Sequence, residues 1–127
     1  MEQIKNSVNW VEIPVNDFQR AKKFYSEIYD FEMPEMQMGP ALMGFLLMEQ
    51  DPDAVGGAIV KCDGYVPSHQ GTRVYLNGGN DLTSVLSRVE AAGGKIIEPK
   101  MEITPEIGYF ATFEDTEGNY ISLHSRH

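Results

Sequence analysis

Periodicity and a shifted self-match predict an α+β fold of two βαβββ modules in this 127-residue chain. Three observations carry the expectation. Strand-period and helix-period segments follow one another as β-α-β-β-β and then repeat that order. Asn16-Asp17-Phe18 recurs as Asn80-Asp81-Leu82, 64 residues on. The same offset of 64 carries Ala21 and Tyr25 onto Val85 and Val89, Gly44-Phe45 onto Gly108-Tyr109, and Asp51 onto Asp115. Each match is weak alone; together they indicate an internal duplication in which neither half buries its own sheet. The modules are expected at about 7–62 and about 72–125 of one domain spanning 1–127.

The elements follow in order. Val8 to Val15 alternates at strand period, with Val11, Ile13 and Val15 on one side. Asn16-Asp17 offers side-chain oxygens to the free amides of a helix start. Phe18, Ala21, Phe24, Tyr25, Ile28 and Tyr29 then share one face of an amphipathic helix. Phe31 to Met38 and Ala41 to Met48 read as strands around the turn dipeptide Gly39-Pro40. Gln50 to Val55 is a polar connection, Gly57 to Cys62 a short apolar strand, and 63–71 a joining loop. The second module opens with a strand at Thr72 to Asn77 and a cap at Asn80-Asp81. Leu82, Val85, Leu86 and Val89 form the buried stripe of its helix, which stops at Ala92-Gly93-Gly94. Lys95 to Ile103, Tyr109 to Phe113 and Tyr120 to Ser125 complete the strands, the last two joined by the polar turn EDTEGN.

Composition narrows the function classes. Net charge is −9, from 10 Lys plus Arg and 19 Asp plus Glu, which repels phosphate backbones and acidic membranes. Neither nucleic acid nor membrane is an expected partner. No apolar run nears the ~20 residues of a spanning helix, and MEQIKNSVNW lacks a signal-peptide centre. Cys62 is the only cysteine, so intramolecular disulfides and cysteine-rich zinc sites are excluded, and the cytoplasm is the expected compartment. There is no phosphate loop, and Gly78-Gly79 lacks the dinucleotide pattern.

Three stretches carry a family likeness: VNWVEIPVNDFQRAKKFY, VEAAGGKIIEPK and YFATFEDTEGNYISLHS. They resemble the vicinal-oxygen-chelate superfamily of glyoxalases, bleomycin-resistance proteins and ring-cleaving dioxygenases, in its glyoxalase-like branch. The resemblance implies a curled mixed sheet around a shared cleft, and a homodimer. It also implies metal ligands, usually His, Glu or Gln, early in each module's first strand and in each fourth strand. Those positions read as Trp10 and Val74, and as Ala58 and Ser122. Shifting the register by two adds only Glu12 and His124, with Leu76 and Val60 as their mates. Neither set suits Zn²⁺, Ni²⁺ or Fe²⁺, so no metal or other cofactor is expected.

Alternation then assigns side chains to the cleft. Val11, Ile13 and Val15 are expected against the first helix. Trp10, Glu12, Val74, Leu76, Tyr120, Ser122 and His124 are expected on the concave side, with Ala58, Val60 and Cys62. Glu12 is the sharpest candidate: a carboxylate on an apolar strand suits a general base or a ligand acceptor, or else it bonds loop amides or Arg73. His124 is its candidate acid–base partner. Ser122 lacks triad partners and reads as a hydrogen-bonding or ligand-contacting hydroxyl. Trp10 stacks a planar ligand or fills the metal's space, and Tyr65 and Tyr120 are pocket-rim candidates. His69 reads as a loop surface residue, and Cys62 as a small buried hydrophobe. Met33, Met36, Met38, Met43 and Met48 offer a pliable wall, a gap-filling core or a dimer contact.

The function expected is metal-independent binding of a small, partly apolar molecule, for sequestration, resistance or sensing. The alternative is a lyase or isomerase with Glu12 as base. A metal-dependent lactoylglutathione-lyase-type enzyme ranks third.

Overall fold

The computed structural model describes residues 4–46 and 53–127. Met48, Asp51 and half of the expected polar connection, residues 50–52, lie outside the described residues. The element order is β1 (Trp10–Pro14), α1 (Phe18–Tyr29), β2 (Glu35–Met38), β3 (Ala41–Leu46), β4 (Gly56–Lys61), β5 (Tyr75–Asn77), α2 (Thr83–Leu86), β6 (Lys95–Thr104), β7 (Gly108–Glu114) and β8 (Tyr120–Ser125). Each module forms a four-stranded mixed sheet, ordered β1-β4-β3-β2 and β5-β8-β7-β6. The first strand of each pairs parallel with the fourth, and the other pairs are antiparallel. The α+β duplication expected from the sequence is the fold. Among the described residues no helix is long and apolar enough to cross a membrane.

Helix α1 starts where Asp17 accepts the amide of Arg20, and ends at Asp30 in the left-handed region. Its face of Phe18, Ala21, Phe24, Tyr25 and Ile28 is buried, as the spacing predicts. One core cluster runs through both modules, joining Ile13, Phe24 and Ile59 to Leu82, Phe113 and Leu123. A smaller cluster of Met43, Ala58 and Val60, with Cys62 partly buried against it, lies apart from the main core.

Several boundaries differ from the sequence reading. β2 begins at Glu35, because Pro34 has no amide to give the ladder. Met33 turns inward just before it; a side chain at Gly44 would strike the Met33 sulfur, so that glycine makes the sulfur's space. Met36 and Met38 are exposed on the edge strand. The second helix is regular only over Thr83–Leu86 and continues as tighter turns, although Leu82, Val85, Leu86 and Val89 are all buried. Asp81 serves its start by accepting the amide of Thr83.

The first strand of module two is shorter and oppositely phased. β5 spans three residues, with Tyr75 opposite Ser122 and Leu76 opposite Leu123. Leu76 and Val74 therefore pack on the main core rather than sharing the face of Ser122 and His124. Glu12 lies opposite Ala58. With Ala58 and Ser122 as mates, the offset is 63 in the first strands, and the mate of Trp10 is Arg73. The hairpin match also shifts: Phe45 lies opposite Ala58 but Thr112 opposite Ser122, so Gly44 and Gly108 are not equivalent.

The turn between β7 and β8 clasps module one. Asp115 accepts the Tyr25 hydroxyl at 2.7 Å, the amides of Glu117 and Asn119, and the Asn119 side chain. Glu117 accepts the amides of Asn16 and Asp17, the Arg20 guanidinium and the Thr116 hydroxyl. Asn119 donates to the Pro14 carbonyl and accepts the amide of Ser68. Burial pushes the Asp115 carboxyl up, partly opposed by Asn119 and Tyr25. Burial acts the same way on Glu117, but Arg20 and the two amides outweigh it and hold that carboxyl below its usual range.

Tyr25→Phe removes one donor from a buried carboxylate and should cost about 1–3 kcal/mol at neutral pH by urea unfolding. A carboxyl raised in the folded state adds nothing unfavourable below its unfolded value, and its penalty grows as pH rises through the folded value. Losing Tyr25 raises Asp115 further, so the deficit should shrink as pH falls through the carboxylate range. A deficit independent of pH would assign the loss to packing instead.

Candidate functional site

A cleft of about 1380 Å³ opens between the modules. Edge strands β1 and β5 both line it, with the loop before β5, the start of β8 and the C-terminal end of α1. Its walls mix apolar side chains such as Val11, Val55, Val74 and Ile121 with Tyr29, Tyr75 and Tyr120. Among the described residues, the charged ones on its lining are Glu12, Arg73 and Arg88. Few polar groups on an apolar concave surface is the form of a small-molecule site.

The sequence-derived candidates fall into two groups. Glu12 and Tyr120 line this cleft. The Glu12 side chain is exposed and takes a hydrogen bond on each oxygen, from the Trp10 indole at 3.3 Å and the Tyr65 hydroxyl at 2.9 Å. Its partners are thus two aromatic candidates rather than loop amides or Arg73. The bond to Glu12 keeps the Tyr65 hydroxyl protonated above the usual phenol range. Trp10 is 38% exposed and meets Phe45 edge-on, ring centroids 6.2 Å apart.

Ser122 and His124 are held elsewhere. Ser122 is fully buried, 2.8 Å from the equally buried Thr112 hydroxyl, with Arg73 Nη1 at 3.4 Å. His124 is half-buried, and its Nε2 lies 2.8 Å from the Ile107 carbonyl, on the turn between β6 and β7. No hydrogen bond or ion pair joins Glu12 to His124 among the described residues. His69 is exposed, as expected, but its ring lies 5.0 Å from that of Tyr120.

Three residues were missed. Tyr75 replaces Leu76 on the Ser122 face. Arg73 places its guanidinium 5.6 Å from the Tyr120 ring centroid. Tyr29 donates its hydroxyl to the Asn77 carbonyl and is lifted by burial far above the usual phenol range. The signal for Tyr75 was present: Val74 and Leu76 are the apolar phase of that strand, as Val11 and Ile13 are of the first. Among the described residues no three His, Cys, Asp or Glu side chains group to hold one metal ion.

The sequence model of the Glyoxalase/Bleomycin resistance protein/Dioxygenase superfamily matches residues 7–123. The chain belongs to this superfamily. A glyoxylase-like domain-containing protein from Didymella fabae is 29% identical over 126 residues, 97% of this chain and 96% of that protein. A glyoxalase/bleomycin resistance protein from Albidiferax ferrireducens T118 superposes with a TM-score of 0.66 at 20% identity, covering 95% of this chain and 100% of that one. TnmS3, an antibiotic binding protein from Streptomyces sp. CB03234, superposes at 0.62 with 22% identity, covering 98% of each chain. At these identities the two structures establish a shared fold. Within the superfamily frame, the register puts Arg73 where Val74 was expected as the counterpart of Trp10.

Ser122→Ala should destabilise the protein by about 1–3 kcal/mol, because the buried Thr112 hydroxyl loses its partner. Adding Thr112→Val should recover most of that loss, a coupling measurable by a double-mutant cycle. Additive losses would mean the hydroxyl pair is not the interaction being broken.

Proposed function

We propose that this glyoxalase/bleomycin-resistance-like protein binds a small, partly apolar organic molecule in the β1–β5 cleft without a metal, for sequestration, resistance or sensing. The observation that carries the reading is the cleft: large enough for an organic ligand, apolar over much of its wall, and bearing a hydrogen-bonded carboxylate and a cluster of tyrosines. The shared fold with a protein described as antibiotic binding supports it.

The donor chemistry supports the metal-free part. The positions implied for ligands carry the indole of Trp10, the methyl of Ala58, the hydroxyl of Ser122 and, by register, the guanidinium of Arg73. Zn²⁺, Ni²⁺ and Fe²⁺ take imidazoles and carboxylates, so this set does not fit them. Lactoylglutathione-lyase chemistry, which uses a metal as Lewis acid, accordingly has no support from the side chains here. Lyase or isomerase chemistry with Glu12 as base and His124 as acid has little, since each is engaged with different neighbours. We further propose a cytoplasmic homodimer: β2 and β6 are outer edge strands with Met36, Met38, Met101 and Ile103 exposed along them.

Thermal unfolding against a panel of metabolites and antibiotics, with and without divalent metal ions, tests the reading. A bound organic ligand at 100 times its Kd should add about 2.7 kcal/mol of stability, independent of metal. Stabilisation by Ni²⁺ or Zn²⁺ alone would contradict it. Glu12→Gln should weaken the stabilising ligand rather than abolish its effect.

A further inference from the structure

Building on the cleft reading, we propose that the ligand is an amphipathic organic anion whose oxyanion is received by Arg73. Among the described residues the cleft carries two arginines against one glutamate, although the whole chain has a net charge of −9. That local reversal of sign is the first observation, and it points away from the cationic ligands that the overall charge suggests.

The three charged groups differ in how far they are already engaged. Both oxygens of Glu12 accept hydrogen bonds from neighbouring rings. Arg88 donates Nε to the Ile28 carbonyl, in the last turn of α1, where the helix dipole favours a positive charge. Arg73 is the exception. Among the described residues its one hydrogen bond is a long 3.4 Å contact to the Ser122 hydroxyl. Its ion-pair partner among the described residues, Glu98, is 4.0 Å away, the outer limit of an ion pair. A guanidinium carries five N–H donors in a planar fork, so most of its capacity remains open.

The fork is nonetheless held in place. It lies over the Tyr120 ring, which also stacks against His69, and beside the hydroxyl of Ser122, itself fixed by Thr112. Those groups orient the guanidinium without neutralising it. Such an arginine suits a carboxylate, sulfonate or similar oxyanion taken by paired N–H donors, while the apolar walls and tyrosines take the ligand's body.

Two fluorescent probes test this. 8-Anilinonaphthalene-1-sulfonate and N-phenyl-1-naphthylamine share their ring systems, but only the first is charged. Both should bind the wild-type protein and compete for one site at low salt. Arg73→Gln should raise the Kd of the sulfonate by about tenfold or more, the loss of one charge-assisted hydrogen bond, and leave the neutral probe within about twofold; Arg73→Lys should fall between. An unchanged sulfonate Kd in Arg73→Gln, or equal weakening of both probes, would overturn the anion assignment while leaving the cleft reading standing. Failure of both probes to bind the wild type, or binding without competition, would overturn the cleft reading itself.

Discussion

Asp115 accepts four hydrogen bonds where the two modules meet, one of them from Tyr25 on the first helix. The same turn makes further contacts with module one. Glu117 accepts the amide of the helix cap Asp17, a donor that a helix leaves open, and that of Asn16 before it. Asn119 joins the end of β1 to the loop leading into β5. A single five-residue connection therefore ties the first strand, the first helix and the inter-module loop to β8. Those are walls of the cleft, so the cleft's shape depends on a polar network as well as on the apolar core that runs through both modules.

The network combines opposing electrostatic effects. Burial disfavours the charge on Asp115, while Glu117 gains enough from Arg20 and the helix amides to stay charged more readily than a free carboxylate. Arg20 is half exposed and Glu117 is fully covered, so the ion pair is screened from one side only. A fully satisfied buried network of this kind specifies one arrangement, because any other leaves a charged or polar group without partners. The described residues contain no buried side-chain nitrogen or oxygen without a hydrogen-bond partner.

Much of the fold was legible because apolar periodicity records which face each element buries. The α1 stripe and the buried residues after Leu82 match their spacing closely. The phase of β5 was not read correctly because the offset of 64 was carried across a loop that differs in length between the modules. Local alternation at Val74 and Leu76 held the correct answer. The site was less legible. Glu12 was identifiable as a carboxylate on an apolar strand, but its partners Trp10 and Tyr65 depend on where a distant loop folds back. Ser122 and His124 were expected in the cleft but do not line it, and their neighbours, Thr112 on β7 and Ile107 on the β6–β7 turn, leave no spacing signature. The Asp115 clasp resembled an ordinary polar turn, since its partners lie about a hundred residues away in sequence.

The central claim is that one organic molecule sits between β1 and β5. Backbone amide NMR of the ¹⁵N-labelled protein, titrated with the stabilising ligand, reads this directly. The account predicts the largest shifts in β1, in the loop and strand around Arg73 to Asn77, and at Asn119 to Ile121, together with the indole signal of Trp10, the sole tryptophan. Shifts concentrated on the outer edges β2 and β6, with the β1 and β5 amides unmoved, would contradict it.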